Sequence, residues 1–582
     1  MHFFQALTRY WRLLSRYLRP QSQLMGLLVV ILCGTIVVQV VTPLVASQFI
    51  DQATSGGALH NLIVLALLTI GLALARQGAA VAETYVAETL SWTATNELRA
   101  DLVAHLLRLD ATFHTAHTPG ELIERVDGDV AALARFFSRF MVYILGNGVL
   151  MVGMLGLLIH VDWRIGLSLS AFVVLALVAM LRIRAVATPF SVAERQASAD
   201  FYGFLGENLA GLEDIRSCGA GEFVLCRCAE VMRTWLSATL KAQMRGYAMV
   251  STSQGLFALG TAVAFALSAM LFKAGTLTIG TVYLIFQYTE MLRQPTEQIR
   301  NEVQDLQQAG ASLGRVEALL GTASRLTDGP GVALPPGPLT VALDGVTFSY
   351  ADDTPVLRDV SLCLQPGRVL GIVGRTGSGK TTLTRLLPRF YDPQAGVVRL
   401  GGVDVRAVSL AAVRARIGLV TQEVHLFNAS VRDNVTLFDD GVPDDRIITV
   451  LEDLGLDGWL RELPCGLDTP LGPGGGLSAG QAQVLACARI FLRDPDVVIL
   501  DEASSRLDPA TERLVHTALG RLLAGRTGII VAHHLSTIAF ADDILVLENG
   551  RVREHGPRID LAADPTSRFA ELLRVTTEEL AP

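Results

Sequence analysis

The sequence predicts a membrane domain of six long α-helices followed by an α/β domain. Apolar residues make up 51% of the 582-residue chain and charged residues 18%, and the mean hydropathy is +0.41. This balance is too apolar for an ordinary soluble enzyme and too charged for a chain that lies wholly in a membrane. The long apolar runs fall in the first half, whereas short β-like runs alternate with helical segments in the second half. A membrane half joined to an α/β half fits both patterns.

The first half contains six apolar runs that are candidates to cross a bilayer. They cover residues 24–50, 62–86, 140–161, 165–183, 248–272 and 277–291, and the last is the shortest. Arginines concentrate before the first run and in the long segments 87–139 and 184–247, while the short connections hold one positive residue at most. By the positive-inside rule, both long segments and both termini are cytosolic. Residues 1–23, which mix arginines with aromatic residues, are expected to form a helix on the cytosolic membrane surface.

The two long cytosolic segments read as helical almost throughout. Turn residues mark a tip in each, at 117–120 and at 217–221. At 1.5 Å per residue, each arm of such a hairpin would extend about 35 Å beyond the bilayer. We interpret the segments as helical levers that transmit motion between the cytosolic and membrane domains. The alternative is a cytosolic domain that two spans divide.

A stretch rich in Gly, Pro, Ser and Thr separates the two halves at residues 321–340. Such composition is typical of a domain boundary. The predicted organisation is therefore a transmembrane domain over residues 1–320, a linker over 321–340 and a second domain over 341–582.

The phosphate loop, residues 374–381, reads Gly-Arg-Thr-Gly-Ser-Gly-Lys-Thr and matches the pattern GxxxxGK[ST]. It stands between an apolar run and a helical run, which is the strand–turn–helix context that the motif requires. The glycines let the backbone curl so that several N–H groups point at phosphate oxygens. Lysine is rare in this chain, with only three in all, so Lys380 favours a phosphate contact over a chance match. We expect Lys380 to reach the outer phosphates and the Thr381 hydroxyl to hold Mg²⁺. The predicted nucleotide contacts in this region are Gly374, Arg375, Thr376, Gly377, Ser378, Gly379, Lys380, Thr381 and Thr382.

The apolar run 497–500 ends in two carboxylates, Asp501 and Glu502. In a P-loop ATPase, the carboxylate at this strand end meets Mg²⁺. Asp501 is the predicted metal-side carboxylate, acting partly through water, and Glu502 is the predicted general base that activates the attacking water. The alternative, a strand that simply ends in acidic turn residues, does not account for the phosphate loop upstream.

The signature segment, Leu477–Gln481, resembles the LSGGQ signature of ATP-binding cassette (ABC) transporters. Residues 340–575 resemble the ATPase domain of that family, and the whole chain resembles an exporter-type half-transporter in which six spans are fused to one ATPase. The resemblance implies that Ser478, Gly480 and Gln481 clamp the γ-phosphate of an ATP held by a partner chain's phosphate loop. It also implies a membrane α-helical domain followed by an α/β P-loop ATPase domain, with ATP and Mg²⁺ as cofactors.

Four further positions match motifs of the family and take their expected roles from the resemblance. Tyr350 would stack on adenine, Gln422 would touch Mg²⁺ and the membrane levers, and Asp508 matches the D-loop. His533 matches the switch histidine at the γ-phosphate, so the expected catalytic set is Lys380, Glu502 and His533. The expected metal set is Thr381, Gln422 and Asp501.

The signature segment departs from the family pattern. Ala479 stands where glycine is usual, and Ala482 and Val484 replace the basic residues that normally follow. The acidic residue that usually precedes the signature is missing from 471–476, although the expected catalytic residues are all present. An intact catalytic glutamate beside an altered signature resembles one half of an asymmetric heterodimer. We therefore expect a second half-transporter chain as partner, and a heterodimer rather than a homodimer.

The expected function is ATP-driven export of a lipophilic, lipid or peptide-like solute across the plasma membrane, in a bacterium the inner membrane. An importer of a metal–chelate complex and an ATP-gated channel or sensor are the alternatives that the sequence leaves open. The net charge of −8 argues against nucleic acid as a partner, and the spans argue against a soluble ABC ATPase. Polar residues in or beside the spans are functional candidates. These are Gln39, Arg76, Glu83, Gln254 and Gln287. They could contact substrate, and for Arg76 and Glu83, seven residues apart, an inter-helix salt bridge is an equal alternative.

Overall fold

The computed structural model describes residues 15–350, 354–421, 424–472, 477–501, 509–532 and 535–579. The chain divides into two compact units. The first comprises residues up to Leu107 together with Pro119–Thr322, and the second comprises Arg108–Thr118 together with the residues from Ala323 onward. The tip of the first long cytosolic segment therefore belongs to the second unit.

Long helices make up most of the first unit. The helices as far as residue 321 are α1 (Ser22–Thr54), α2 (Leu59–Arg108), α3 (Ala111–Ala116), α4 (Pro119–Ile123), α5 (Asp129–Arg139), α6 (Asn147–Val161), α7 (Trp163–Ala210), α8 (Leu212–Ser217), α9 (Gly221–Lys273), α10 (Ile279–Met291) and α11 (Arg293–Gly321).

Five helical stretches within the described residues are long and apolar enough to cross a membrane, judged by length and composition. They correspond to the first five predicted spans and comprise Ser15–Thr54, Leu59–Arg108, Tyr143–Val161, Trp163–Ala210 and Gly221–Lys273. The turns predicted at 117–120 and 217–221 are confirmed, since α3 ends at Ala116 and α9 begins at Gly221. The predicted surface helix at 1–23 lies mostly outside the described residues.

The sixth predicted span, 277–291, coincides with α10, whose 13 residues are too few to cross a bilayer as one straight helix. The helix ends there because Pro295 has no N–H to donate to the carbonyl of Met291. Helical hydrogen bonds nevertheless continue through the junction, from Leu292 N–H to the Tyr288 carbonyl at 3.0 Å and from Thr296 N–H to the Leu292 carbonyl at 3.4 Å. The chain thus passes from α10 into α11 without a loop.

Two large sheets, a short two-stranded sheet of β7 and β8 and the surrounding helices form the second unit within the described residues. Its strands are β1 (Val341–Phe348), β2 (Leu357–Leu364), β3 (Val369–Val373), β4 (Ala395–Leu400), β5 (Val403–Asp404), β6 (Ile417–Val420), β7 (Ala429–Ser430), β8 (Pro470–Leu471), β9 (Val497–Asp501), β10 (Thr527–Val531), β11 (Asp543–Glu548) and β12 (Arg551–Pro557). Its remaining helices are α12 (Lys380–Leu386), α13 (Leu410–Ala415), α14 (Val431–Thr436), α15 (Asp444–Asp453), α16 (Asp457–Glu462), α17 (Ala479–Arg493), α18 (Pro509–Leu523), α19 (Leu535–Ile538), α20 (Arg558–Ala563) and α21 (Arg568–Glu579).

The larger sheet has the strand order β12-β11-β3-β10-β9-β6, and β1, β2, β4 and β5 form a separate antiparallel sheet. All strands of the larger sheet are parallel except β12, and every residue of β3 and β10 is buried. Burial on both faces explains why these strands read as continuous apolar runs. Val531 pairs with Ile372 on one side and with Asp501 on the other, so the carboxyl ends of β3, β9 and β10 meet at one edge. Ligands of open α/β sheets bind at such an edge.

Part of the predicted linker, 321–340, is fastened to the second unit. The Val332 N–H donates to the Ala407 carbonyl at 3.0 Å, and Arg416 Nη2 donates to the Pro335 carbonyl at 2.9 Å. These hydrogen bonds hold the later part of the linker against the second unit.

Candidate functional site

The phosphate loop joins β3 to α12, and its three glycines all have positive φ angles. The φ angles of Gly374, Gly377 and Gly379 are +154°, +81° and +103°. A Cβ at Gly374 would lie 2.3 Å from the Leu547 carbonyl oxygen, and one at Gly379 would lie 2.7 Å from Leu357 Cδ2. The loop therefore curls in a way that L side chains rarely adopt, which is what a phosphate cradle requires.

The side chains of Ser378 and Lys380 are buried within this loop, each about 5% exposed. Lys380 Nζ donates to the carbonyls of Gly374 at 2.7 Å and Arg375 at 3.2 Å. Ser378 Oγ is buried and has no hydrogen-bond partner in the part of the chain that the structure describes. A buried hydroxyl without a partner is costly, so this donor and the adjacent ammonium fit an anion such as a phosphate group.

One predicted metal-side residue, Asp501, lies at the carboxyl edge of the larger sheet. Asp501 is half-buried as the last residue of β9. Glu502, Gln422, His533 and Asp508 lie outside the described residues, so their predicted roles remain predictions.

Tyr350 follows β1 and reaches the helix that begins in the phosphate loop. Its hydroxyl donates to Thr382 Oγ1 at 3.2 Å, and its ring is 41% exposed. Two other rings stand nearly perpendicular to it, those of Phe348 at 4.9 Å and Tyr391 at 5.2 Å between centroids. The structure thus brings an accessible aromatic ring close to the phosphate loop, as adenine stacking requires.

The signature segment begins α17. Ser478 caps this helix in a reciprocal arrangement: its Oγ accepts from the Gln481 N–H at 3.1 Å, and Gln481 Oε1 accepts from the Ser478 N–H at 2.9 Å. Ser478 and Ala479 are exposed, whereas Gly480 is buried. The hydroxyl hydrogen of Ser478 is not used by the cap, so it can be donated outward.

Comparisons with known proteins agree with this arrangement. Residues 25–296 match the family model of the ABC transporter transmembrane region, and residues 357–505 match the ABC transporter model. The chain belongs to the ABC transporter family. It is 30% identical over 555 residues to the ATP-dependent lipid A-core flippase of Chromobacterium violaceum, which covers 94% of this chain and 92% of the relative.

Two further proteins are similar to this ABC transporter over most of its length. A fatty acid ABC transporter ATP-binding/permease protein of Mycobacterium bovis is 31% identical over 467 residues, which covers 80% of this chain and 74% of that protein. The structure of a bacterial Atm1-family ABC exporter with ATP bound has a TM-score of 0.80 at 25% identity, and the match covers 96% and 98% of the two chains.

These findings confirm the predicted family, fold class and general activity. The chain is a subunit of an ATP-driven membrane transporter, with a multi-pass helical domain and a cytosolic ATPase domain that binds nucleotide. The alternative of a soluble ABC ATPase is wrong.

Sequence reasoning missed a second group of residues in this transporter, which surrounds the short helix α3. Asp110 is 7% exposed and caps α3 by accepting from the N–H groups of Thr112 at 2.9 Å and Phe113 at 3.2 Å. It also accepts from the Arg325 N–H at 2.6 Å. Burial pushes the pKa of the Asp110 carboxyl up, but the hydrogen bonds from the Arg325, Phe113 and Thr112 backbones outweigh it and hold the pKa below its usual value. An aspartate just before a short helix was the available sequence signal.

The two residues that replace basic side chains after the signature segment, Ala482 and Val484, lie partly or wholly in the core. Val484 is fully buried in the core against which α17 packs, and Ala482 is half-buried. A basic side chain in place of Val484 would need a buried partner, so this part of the transporter is built around an apolar residue.

Proposed function

We propose that this chain is one half of an exporter that binds ATP with Mg²⁺ at its phosphate loop and moves a lipid-like molecule. The observation that carries the nucleotide part is the buried Ser378 hydroxyl, which has no hydrogen-bond partner among the described residues and lies in the same glycine-rich loop as the Lys380 ammonium. Buried donors of this kind bind anions that bring their own acceptor oxygens.

Each site residue has a proposed part in the reaction. Lys380 and Ser378 hold phosphate oxygens, Tyr350 stacks on adenine, and Glu502 takes a proton from the attacking water. When bound, Mg²⁺ would supply positive charge that offsets the negative charge of the phosphate groups. The residues proposed to hold the metal are Thr381, Gln422 and Asp501, partly through water. The other proposed nucleotide contacts are Gly374, Arg375, Thr376, Gly377, Gly379, Thr382, Asp508 and His533, with Ser478, Gly480 and Gln481 reaching the partner chain's nucleotide.

The proposed domain organisation is a transmembrane domain over 1–320, a linker over 321–340 and an ATPase domain over 341–582. The division of the chain into two compact units near residue 322 supports this boundary. The segment Arg108–Thr118 is an extension of the membrane domain that joins the ATPase unit.

A lipid-like substrate is supported by the names of two relatives, a lipid A-core flippase and a fatty acid transporter. The test is reconstitution of the purified transporter into liposomes that carry fluorescent lipid analogues of several head groups. ATP-dependent movement of an analogue from one leaflet to the other, absent in Glu502→Gln, would support the proposal. Movement only down an existing gradient would contradict it and favour a channel.

We infer that the partner is a second half-transporter chain and that the pair is a heterodimer. The support is the exposed Ala479, which replaces the usual glycine of the signature segment. The predicted catalytic residues of the same chain are all present in its sequence. The test is the ATPase rate of the chain purified alone. Negligible turnover that appears when the partner chain is added supports a heterodimer. Robust turnover of a homodimer, abolished by Glu502→Gln, contradicts it.

A further inference from the structure

Tyr391 lies just beyond α12, in a segment that turns sharply away from the phosphate-loop helix. The turn occurs at Arg389, whose φ is +53°, and whose N–H donates to the Leu386 carbonyl at 3.1 Å. Tyr391 itself is 7% exposed, and its ring packs into the core of the antiparallel sheet. A ring held in this way has little freedom to move independently of α12.

This ring stands perpendicular to the ring of a second tyrosine. The Tyr391 and Tyr350 rings are 5.2 Å apart between centroids, with an interplanar angle of 89°. Edge-to-face geometry is favourable because the positive ring edge meets the negative ring face. Tyr350 is also held by its hydroxyl, which donates to Thr382 Oγ1 at 3.2 Å, so its ring is fixed at two points and remains 41% exposed.

The hydroxyl of Tyr391 points to a different part of the second unit. It lies 3.5 Å from Thr115 Oγ1 on α3, although the two residues are 276 positions apart. The Thr115 hydroxyl donates to the Ala111 carbonyl at 2.8 Å, so its hydrogen is already committed. Tyr391 is therefore the donor, at a length that makes the contact weak and easily broken.

We propose that Tyr391 is a positioning residue that holds the ring of Tyr350 in its adenine-stacking orientation and links that ring to α3. When adenine stacks on Tyr350, the ring of Tyr391 is fixed with it, and the hydrogen bond to Thr115 is kept. The inference rests on the proposed stacking role of Tyr350, and it deepens that role by naming what orients the ring and which helix senses it.

The first test isolates the contribution of the base to binding. Affinities for ATP and for inorganic tripolyphosphate are measured on the purified full-length chain, and the ratio of the two dissociation constants reports the adenine contribution. Stacking of one base on an aromatic ring corresponds to a ratio of about tenfold. We expect Tyr350→Ala to remove this preference and Tyr391→Ala to reduce it by about threefold or more, while Tyr391→Phe keeps it. Unchanged affinity for tripolyphosphate shows that each variant is folded.

The second test follows the link to α3. Amide hydrogen exchange of residues 111–116 is compared with and without ATP in the full-length chain. ATP is expected to slow exchange in the wild type, whereas tripolyphosphate is not. Thr115→Val and Tyr391→Phe should both lose the effect of ATP, although both keep the binding preference for adenine. Phe390→Leu, at a neighbouring ring that packs under Arg414 instead, should behave as the wild type.

The outcomes separate the two proposals. If Tyr350→Ala leaves the ATP preference intact, the stacking role in the proposed function is wrong. If Tyr350→Ala removes the preference and Tyr391→Ala does not reduce it, the positioning role of Tyr391 is wrong and the stacking role stands. If Thr115→Val still shows slower exchange with ATP, the link to α3 is wrong.

Discussion

The carboxylate of Asp110 accepts a hydrogen bond of 2.6 Å from the backbone N–H of Arg325, 215 residues further along the chain. The same carboxylate caps α3, so one buried side chain fixes two segments of the second unit at once. One segment is the tip of the first cytosolic hairpin, and the other leads from α11 into the ATPase domain. The Asp110 carboxylate should therefore contribute to the stability of the folded protein, and its contribution should depend on pH.

Substitution of Asp110 is expected to destabilise the protein. Asp110→Ala removes the cap of α3 and also the acceptor of the Arg325 N–H, at a cost of about 2 kcal/mol. The thermal unfolding midpoint of the detergent-purified chain measures this. Asp127→Asn is the control, since the exposed side chain of Asp127 forms a surface ion pair with Arg99. Its expected effect is below about 1 kcal/mol, and an equal loss in both variants would contradict the role given to Asp110.

The pH dependence of the same contact has a definite sign. The pKa of Asp110 is lowered in the folded protein, so its contribution is fully present above the unfolded value of about 3.9. It is lost as the pH falls through the lower, folded pKa. The stability difference between wild type and Asp110→Asn should therefore be constant from pH 6 to pH 8, a range set by about two pH units above that value. A difference that changes within this range would show that another group is responsible.

A methyl group at Gly374 is expected to destroy the phosphate loop. The added Cβ would lie 2.3 Å from the Leu547 carbonyl oxygen and 2.8 Å from Ser378 Oγ, in a conformation that L residues rarely adopt. Nucleotide binding of Gly374→Ala should fall by at least about tenfold, the equivalent of 1.4 kcal/mol. Binding of a fluorescent ATP analogue measures the loss. Gly206→Ala is the control, because that glycine lies within α7 with open space around its Cβ position, and its ATP affinity should not change.

Local patterns were sufficient to predict the phosphate loop and the sheet edge. Glycines at fixed spacing after an apolar strand predict a phosphate loop directly, because only such a turn needs them there. The apolar run that ends in Asp501 predicted a strand-end carboxylate, and the pairing of β9 with β10 confirms that Asp501 lies at the carboxyl edge of the sheet. The contact between Tyr391 and Thr115 was not predictable in this way. It joins two distant segments, and no pattern within either segment encodes how they pack against each other.

Two other differences between sequence and structure have local causes. The predicted span at 277–291 corresponds to α10, and Pro295 was the sequence signal for the end of that helix. The linker was predicted from its Gly and Pro content, which marks a loop but does not say which surface the loop follows. The hydrogen bond between Val332 and Ala407 depends on that surface.

Cys487 should resist chemical modification in the folded protein. It is fully buried in α17, and burial raises the pKa of its thiol to about 12. The thiolate is the reactive form, so Cys487 should remain unlabelled by a maleimide at pH 8 until the ATPase domain unfolds. Cys226 is exposed on α9 and is the matched control that should react readily. Mass spectrometry of the labelled peptides distinguishes the two, and labelling of Cys487 under native conditions would contradict its buried position.

Ser478 allows the helix cap and the partner site to be tested separately. Ser478→Ala removes the acceptor for the Gln481 N–H and should destabilise the start of α17 by about 1 kcal/mol. Ser478→Thr keeps a hydroxyl in the capping position and should retain that stability. If the transporter is a heterodimer in which this signature segment serves the weaker site, ATP turnover of the pair should change by less than about twofold in Ser478→Ala, whereas Glu502→Gln should reduce it by about a hundredfold or more. A large loss of turnover in both variants would instead place both residues at working sites, as a homodimer requires.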